Sequence, residues 1–308
     1  MNNLLKRKFA DGQIVADMSL LFVAIVWGSS YLATKIILID YEVFPFLFIR
    51  FAFTVIILLF FTWKSLKNAT MGTWITGIIL GLFLAGIFTS ETWGINFTTS
   101  SNAGFLISLT IIFTPLVESI VSRSRLRLGI LFAVLLSVVG TGLLTLKQGY
   151  QFNIGDLLII VAALLRAIQM TFTQKLTFGK EMDSGALTTI QLSIVAIIMA
   201  FVSVFVNGLE SITLDKSLLF WSLTFYLAVF GTLLAFYIQL VMIRKTSPTR
   251  VGLLMGTEPI FATLFAILLG GENLSIQGWI GGFLIVIATY YGRYVELKYR
   301  TKVVNSEV

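Results

Sequence analysis

Neither cysteine nor histidine occurs in the 308 residues. Their absence excludes disulfides, thiol nucleophiles, Fe–S clusters, HExxH zinc sites, histidine-ligated haem and Ser–His proteolytic dyads. Charge is scarce as well, at 12% of residues against about 25% in soluble domains. A soluble single domain is therefore excluded. No G-x-x-x-x-G-K-[ST] loop is present, so the sequence offers no site for driving work with ATP. It calls for no cofactor and no metal.

What fills the chain is apolar. Hydrophobic residues make up 57% of it, the mean hydropathy is +0.94, and runs of about twenty apolar residues recur along its length. In lipid every backbone N–H and C=O must be satisfied within the protein, which leaves helices or closed barrels, and no segment alternates like a barrel strand. The composition predicts an all-α polytopic membrane protein. Charged flanks place ten transmembrane helices at Met18–Leu38, Phe44–Trp63, Trp74–Asn96, Asn102–Val121, Leu128–Leu146, Gly155–Leu176, Ser184–Val206, Leu218–Ile243, Val251–Gly270 and Ile276–Gly292. Residues 1–17 and 293–308 read as tails, the first too polar around Asp11, Gly12 and Gln13 for a signal peptide.

The net charge of +7 is a matter of topology rather than of nucleic-acid binding. Lys and Arg in alternate loops number 17 on the side of both termini and two, Lys147 and Lys216, on the other. By the positive-inside rule both termini are expected in the cytoplasm of a cell with a plasma or inner membrane. The remaining basic residues, Lys35, Arg50 and Arg166, fall inside spans.

The chain also repeats itself. An offset of 148 aligns Phe88 with Phe236, Gly104 with Gly252, Ile112 with Ile260 and Phe113 with Phe261, while an offset of 139 aligns Asp17 with Asp156, Ala24 with Ala163 and Thr34 with Thr173. The two copies, 18–146 and 155–292, hold five spans each, so the second enters the membrane upside down. Two inverted five-helix repeats with a midplane site between them are a common construction of secondary transporters.

Trp27-Gly28-Ser29-Ser30-Tyr31 with Lys35, Arg50, Gly155-Asp156-Leu157-Leu158, Glu258-Pro259-Ile260-Phe261 and Gly270-Gly271-Glu272-Asn273-Leu274 resemble, in order and spacing, the EamA family of the drug/metabolite transporter superfamily. The resemblance implies a ten-helix carrier that exports amino acids or other small metabolites from bacteria through a central cavity. Two positions depart from it. Ser124 and Arg125 stand where the second copy has Glu272 and Asn273, and Arg166 stands where relatives commonly carry an aromatic residue.

Charge inside a membrane faces a cavity or a partner, which makes each such residue a site candidate. Arg166, mid-span, suits a substrate carboxylate because guanidinium stays charged and grips in a fork; an internal ion pair with Glu91 or Glu258 is the structural reading. Arg50 with Glu91 could form an outer gate or a permanent pair, and Glu91, whose equivalent is Gln239, is the carboxylate expected to titrate if protons are the coupling ion. Lys35 reads as a snorkelling anchor and Glu118 as an interfacial ion pair. Glu258-Pro259 and Thr114-Pro115 predict kinks. Trp27, Ser30, Tyr31, Trp93, Asn96, Gln169, Tyr237 and Gln239 are candidates for the cavity wall. The glycine pairs Gly77/Gly81, Gly252/Gly256 and Gly278/Gly282 have the spacing of close helix contacts. The function expected is efflux of a small metabolite by alternating access; import or exchange on the same scaffold is the alternative. A channel would need a polar filter, and an intramembrane enzyme a carboxylate dyad or histidine, neither of which is evident. The partners expected are a small-molecule substrate and the lipid bilayer, with no nucleic acid; oligomeric state is left open.

Overall fold

The computed structural model describes residues 3–98, 100–123, 127–145, 152–212, 217–270 and 275–306. Ser124, Arg125, Lys147, Lys216 and the stretch 271–274 lie outside the described residues. Among the described residues the structure is helical, with no strand. Eight helices are long and apolar enough to cross a membrane, and the shorter apolar stretches Leu128–Leu143 and Ile276–Gly292 supply the fifth and tenth spans.

The first three spans are α1 (Asn3–Asp40), α2 (Val43–Lys67) and α3 (Met71–Phe97). The fourth is split into α4 (Ser100–Ile107) and α5 (Thr110–Val121), and the fifth is α6 (Leu128–Thr145). In the second copy α7 (Ile154–Thr177) and α8 (Ser184–Asn207) precede an eighth span made of α9 (Leu218–Tyr226), a π-helical segment (Leu227–Leu234) and α10 (Ala235–Lys245). The ninth is split into α11 (Pro248–Met255) and α12 (Glu258–Gly270), and α13 (Ile276–Ser306) is the last. Three helix starts are capped by side chains: Thr70 accepts from Thr73 N, Asp183 from Ala186 N, and Asn153 with Asp156 forms a reciprocal capping box on α7. Both ends extend beyond the apolar spans, α1 starting at Asn3 and α13 running to Ser306.

The two copies are related in space as the offsets require. α2 packs on α8 and α6 on α13, each helix against its own counterpart. Phe88 and Phe236, 148 apart, meet with ring centroids 5.4 Å from each other. The 139 offset pairs Trp27 with Arg166, and the Arg166 guanidinium lies 4.6 Å from the Trp27 ring centroid. Residues that meet their own mates mark the pseudo-twofold axis.

The breaks in spans four and nine are also mates, Ser108-Leu109 against Gly256-Thr257. Prolines do not cause them in common, because Pro115 sits six residues inside α5 while Pro259 occupies the first turn of α12, where a missing N–H costs little. Hydroxyls bond back to carbonyls beside the breaks: Ser108 Oγ donates to Phe105 O (2.6 Å), Thr110 Oγ1 to Ile107 O (2.7 Å) and Thr257 Oγ1 to Leu254 O (2.8 Å), the first and last of which also accept a backbone N–H three residues on. In a medium without water those bonds make an interrupted helix tolerable.

Two close approaches hold the spans in place. A Cβ on Gly77 would lie 2.6 Å from Ile190 Cγ2 of α8, and one on Gly28 would lie 2.7 Å from the backbone nitrogen of Ala262 in α12. The first bears out the close-contact reading of that glycine. The second seats α1 directly on the start of α12.

Candidate functional site

At the axis, α1, α2, α3, α7, α10 and α12 enclose a cluster of ionisable side chains. Arg166 of α7 sits between two carboxylates: Nη2 is 2.9 Å from Glu91 Oε2 of α3 and Nη1 is 3.5 Å from Glu258 Oε2 at the head of α12. The other oxygen of Glu258 accepts the Tyr31 hydroxyl. Trp27 covers the guanidinium with its ring and donates its indole N–H to Gly231 O (2.9 Å). Gly28 permits the backbone approach that brings Tyr31 and Glu258 together, since a Cβ there would also meet Glu258 O at 2.9 Å.

The carbonyl that the indole meets lies in the π-helical stretch of the eighth span. Segments with i→i+5 winding are rare and are found frequently at functional sites. Here Gly231 O accepts Trp27, Ala228 O accepts Thr54 Oγ1 (3.1 Å), and Thr232 Oγ1 accepts Arg50 Nε (2.9 Å). Arg50 also lies over the Phe88 ring at 5.3 Å. It forms no ion pair among the described residues, so the Arg50–Glu91 pair expected from the sequence is corrected: Glu91 is taken by Arg166, which α7 points directly at it.

Trp27, Ser30, Thr34, Arg50, Phe88, Glu91, Arg166 and Phe236 line a space of about 10 Å³, room for about one water molecule.

The structure thus brings together seven of the sequence-nominated residues: Trp27, Ser30, Tyr31, Arg50, Glu91, Arg166 and Glu258. Gln169 and Gln239 are buried at 3% and 1% exposure but lie outside this lining; Gln239 Nε2 donates to Met255 Sδ (3.6 Å). Asn96, Trp93 and Tyr237 face outward, the last two 41% exposed. Their helices turn by about 100° per residue, and these positions fall on the face away from the axis. Lys35 does not hang in the interface; its ammonium donates to Ile95 O (3.0 Å) and Thr98 O, capping the end of α3. Glu118, read as half of an interfacial ion pair, accepts from the backbone N–H (3.1 Å) and hydroxyl of Thr249 at the start of α11. Sequence reasoning missed the π-helical segment and Thr232, for which Gly231 within an apolar run was the sole local sign.

The ionised groups break the symmetry of the repeat. Glu91 is matched by Gln239, Arg166 by Trp27 and Glu258 by Thr110, so each charge occurs in one copy alone. Two copies of one scaffold therefore surround a cluster that is itself asymmetric.

Known proteins share both the sequence pattern and the fold. A family model, the EamA-like transporter family, matches residues 14–146 and again 153–291. An uncharacterized transporter of Archaeoglobus fulgidus is 27% identical over 278 residues, covering 90% of this chain and 85% of its own. The uncharacterized inner membrane transporter YedA of Escherichia coli is 24% identical over 270 residues, 86% of either chain. A solved crystal structure of a protein superposes with a TM-score of 0.75 at 17% identity over 92% of this chain and 98% of its own, a likeness of fold. With its two matched repeats wrapped about one axis, this multi-pass membrane protein belongs to the EamA-like transporter family.

Proposed function

We propose that the chain is a secondary transporter that moves a small metabolite carrying both an amine and a carboxylate, an amino acid or a related compound, out of the cell by alternating access. The observation that carries the proposal is a single guanidinium, Arg166, held between two carboxylates on the axis between inverted repeats. One cation for two anions leaves one negative charge to be neutralised, and a proton or a substrate ammonium can do so. Arg50 supplies the complementary element, a cation without a carboxylate partner among the described residues, beside the same space. A substrate carboxylate there gains a two-pronged, charge-assisted bond.

The competition sets the direction. If ammonium and proton exclude one another at Glu91, inward proton movement drives substrate outward, whereas a proton bound together with substrate would drive uptake. The Lys and Arg asymmetry supports cytoplasmic termini, with Lys64, Lys67, Lys175 and Lys180 on the proton-poor side. Purified protein in liposomes, offered a panel of amino acids, amines and amidated analogues in counterflow, identifies the substrate. An internal pH dye then reads the coupling. Proton movement opposite to substrate supports the reading; movement in the same direction overturns efflux by competition, and pH-independent, non-saturating flux overturns the carrier itself.

A further inference from the structure

Arg250 is fully buried at the start of α11, and its guanidinium grips Asp17 of α1: Nη2 lies 2.6 Å and Nε 3.2 Å from Oδ1. This pair stands at the end of the molecule that carries the N-terminus, well away from the Arg166 cluster. At the opposite end Thr98, which closes α3, donates its hydroxyl to Asp156 Oδ1 of α7 (2.7 Å), while the Thr98 carbonyl accepts Lys35 of α1.

The repeat offsets relate these two ends. Asp17 and Asp156 differ by 139, as do Lys35 and Gln174, while Thr98 and Thr246 differ by 148. Gln174 Nε2 donates to Thr246 O (3.2 Å) just as Lys35 donates to Thr98 O. Each end thus carries the same contact, a side chain near the end of a first-type span donating to a carbonyl at the end of a third-type span. The two aspartates differ in the charge they meet. Asp17 meets the cation Arg250, whose mate in the first copy is the neutral Asn102; Asp156 takes a hydroxyl and the Asn153 N–H (2.7 Å) and has no ion pair among the described residues.

We propose that these junctions are the two gates of the carrier and that they are unequal, the Asp17–Arg250 latch holding its end shut more firmly than Thr98–Asp156 holds the other. The inference rests on the alternating-access reading above. A charge-assisted contact, here two guanidinium N–H groups on one carboxylate oxygen, is stronger than a neutral one, and breaking it inside the fold strands two charges until water reaches them. The end away from the N-terminus therefore opens the more readily, and substrate bound from the N-terminal side must help to release Arg250.

The chain's lack of cysteine supplies the test. Ser30→Cys, in the lining of the central space, is labelled with an impermeant maleimide in right-side-out and inverted vesicles, sidedness being fixed by an N-terminal tag. Asp17→Asn is expected to raise labelling from the tag side about tenfold, a shift of about 1.4 kcal/mol in population, with no gain from the other. Thr98→Val raises it from the far side alone. Exchanging the partners, Asp17→Arg with Arg250→Asp, returns the parental pattern. The latch is overturned if both single variants act on the same side, or if neither moves labelling in protein whose melting is unchanged. Should Asp17→Asn not fold, the exchanged pair decides: restored folding with parental labelling supports the latch, and failure of both makes the pair a brace. Failure of alternating access looks different, since the parent would then label equally fast from both sides.

Discussion

Removing the charge of Arg166 is the most informative single perturbation of this protein. Its guanidinium lies 2.9 Å from Glu91 and 3.5 Å from Glu258, on the face of Trp27. Arg166→Gln leaves two carboxylates facing each other with no cation between them. Breaking a buried pair costs about 3–5 kcal/mol, and the lost ring contact adds about 0.5–2 kcal/mol. The first figure alone lowers the folded population by about two to four orders of magnitude. The expected outcome is a sharp fall in monodisperse yield and in the unfolding temperature in detergent. Pairing the change with Glu91→Gln should recover much of both, because neighbouring members of one network are not additive. Arg166→Lys should fall between, retaining charge and losing the fork. The reasoning is refuted if Arg166→Gln alone is obtained in parental yield with parental melting, and Arg166 would then be a substrate ligand if that variant lost carboxylate-bearing substrates selectively.

Arg50→Gln is expected to spare folding and to weaken substrates with a free carboxylate by about tenfold to a hundredfold against their amides, the worth of one charge-assisted bond of about 1.5–3 kcal/mol; equal loss of both analogues in binding would count against a ligand role. Glu91→Gln should abolish flux driven by a pH gradient while counterflow persists, and undiminished gradient-driven flux would move the coupling elsewhere. Gly28→Val should lower melting by the equivalent of about 1–3 kcal/mol of overpacking and slow transport, because its side chain would collide with Ala262 N; unchanged melting would show that α1 and α12 can part without cost. For topology, Lys67→Cys and Lys180→Cys should resist an impermeant thiol reagent in intact cells and Lys147→Cys should react; labelling of Lys180→Cys from outside would contradict the orientation.

Much of this architecture is dictated locally. Lipid offers the backbone no hydrogen bonds, so apolar runs of about twenty residues can only become helices, and five spans per copy force the second copy to invert. The same constraint marks Arg50, Glu91, Arg166 and Glu258 in the sequence, since charge within a membrane must be met by something. What meets it is a different matter. Along the chain Arg50 and Arg166 were both candidate partners for Glu91; α7 and α3 pack so that Arg166 takes it, leaving Arg50 to the Thr232 hydroxyl and the Phe88 ring. Asn96 and Tyr237 share composition with true lining residues and differ from them only in helix rotation, which packing fixes. The π-helical stretch of the eighth span is met from two other helices, Trp27 and Thr54 donating to its Gly231 and Ala228 carbonyls and Arg50 to its Thr232 hydroxyl, contacts that no local pattern announces. Asp17 and Arg250 lie 233 residues apart. The sequence determined that this chain is a membrane bundle of two inverted copies with buried charge; only the tertiary structure decided how the charges pair, because helix rotation and the axis between the copies are properties of the packed whole.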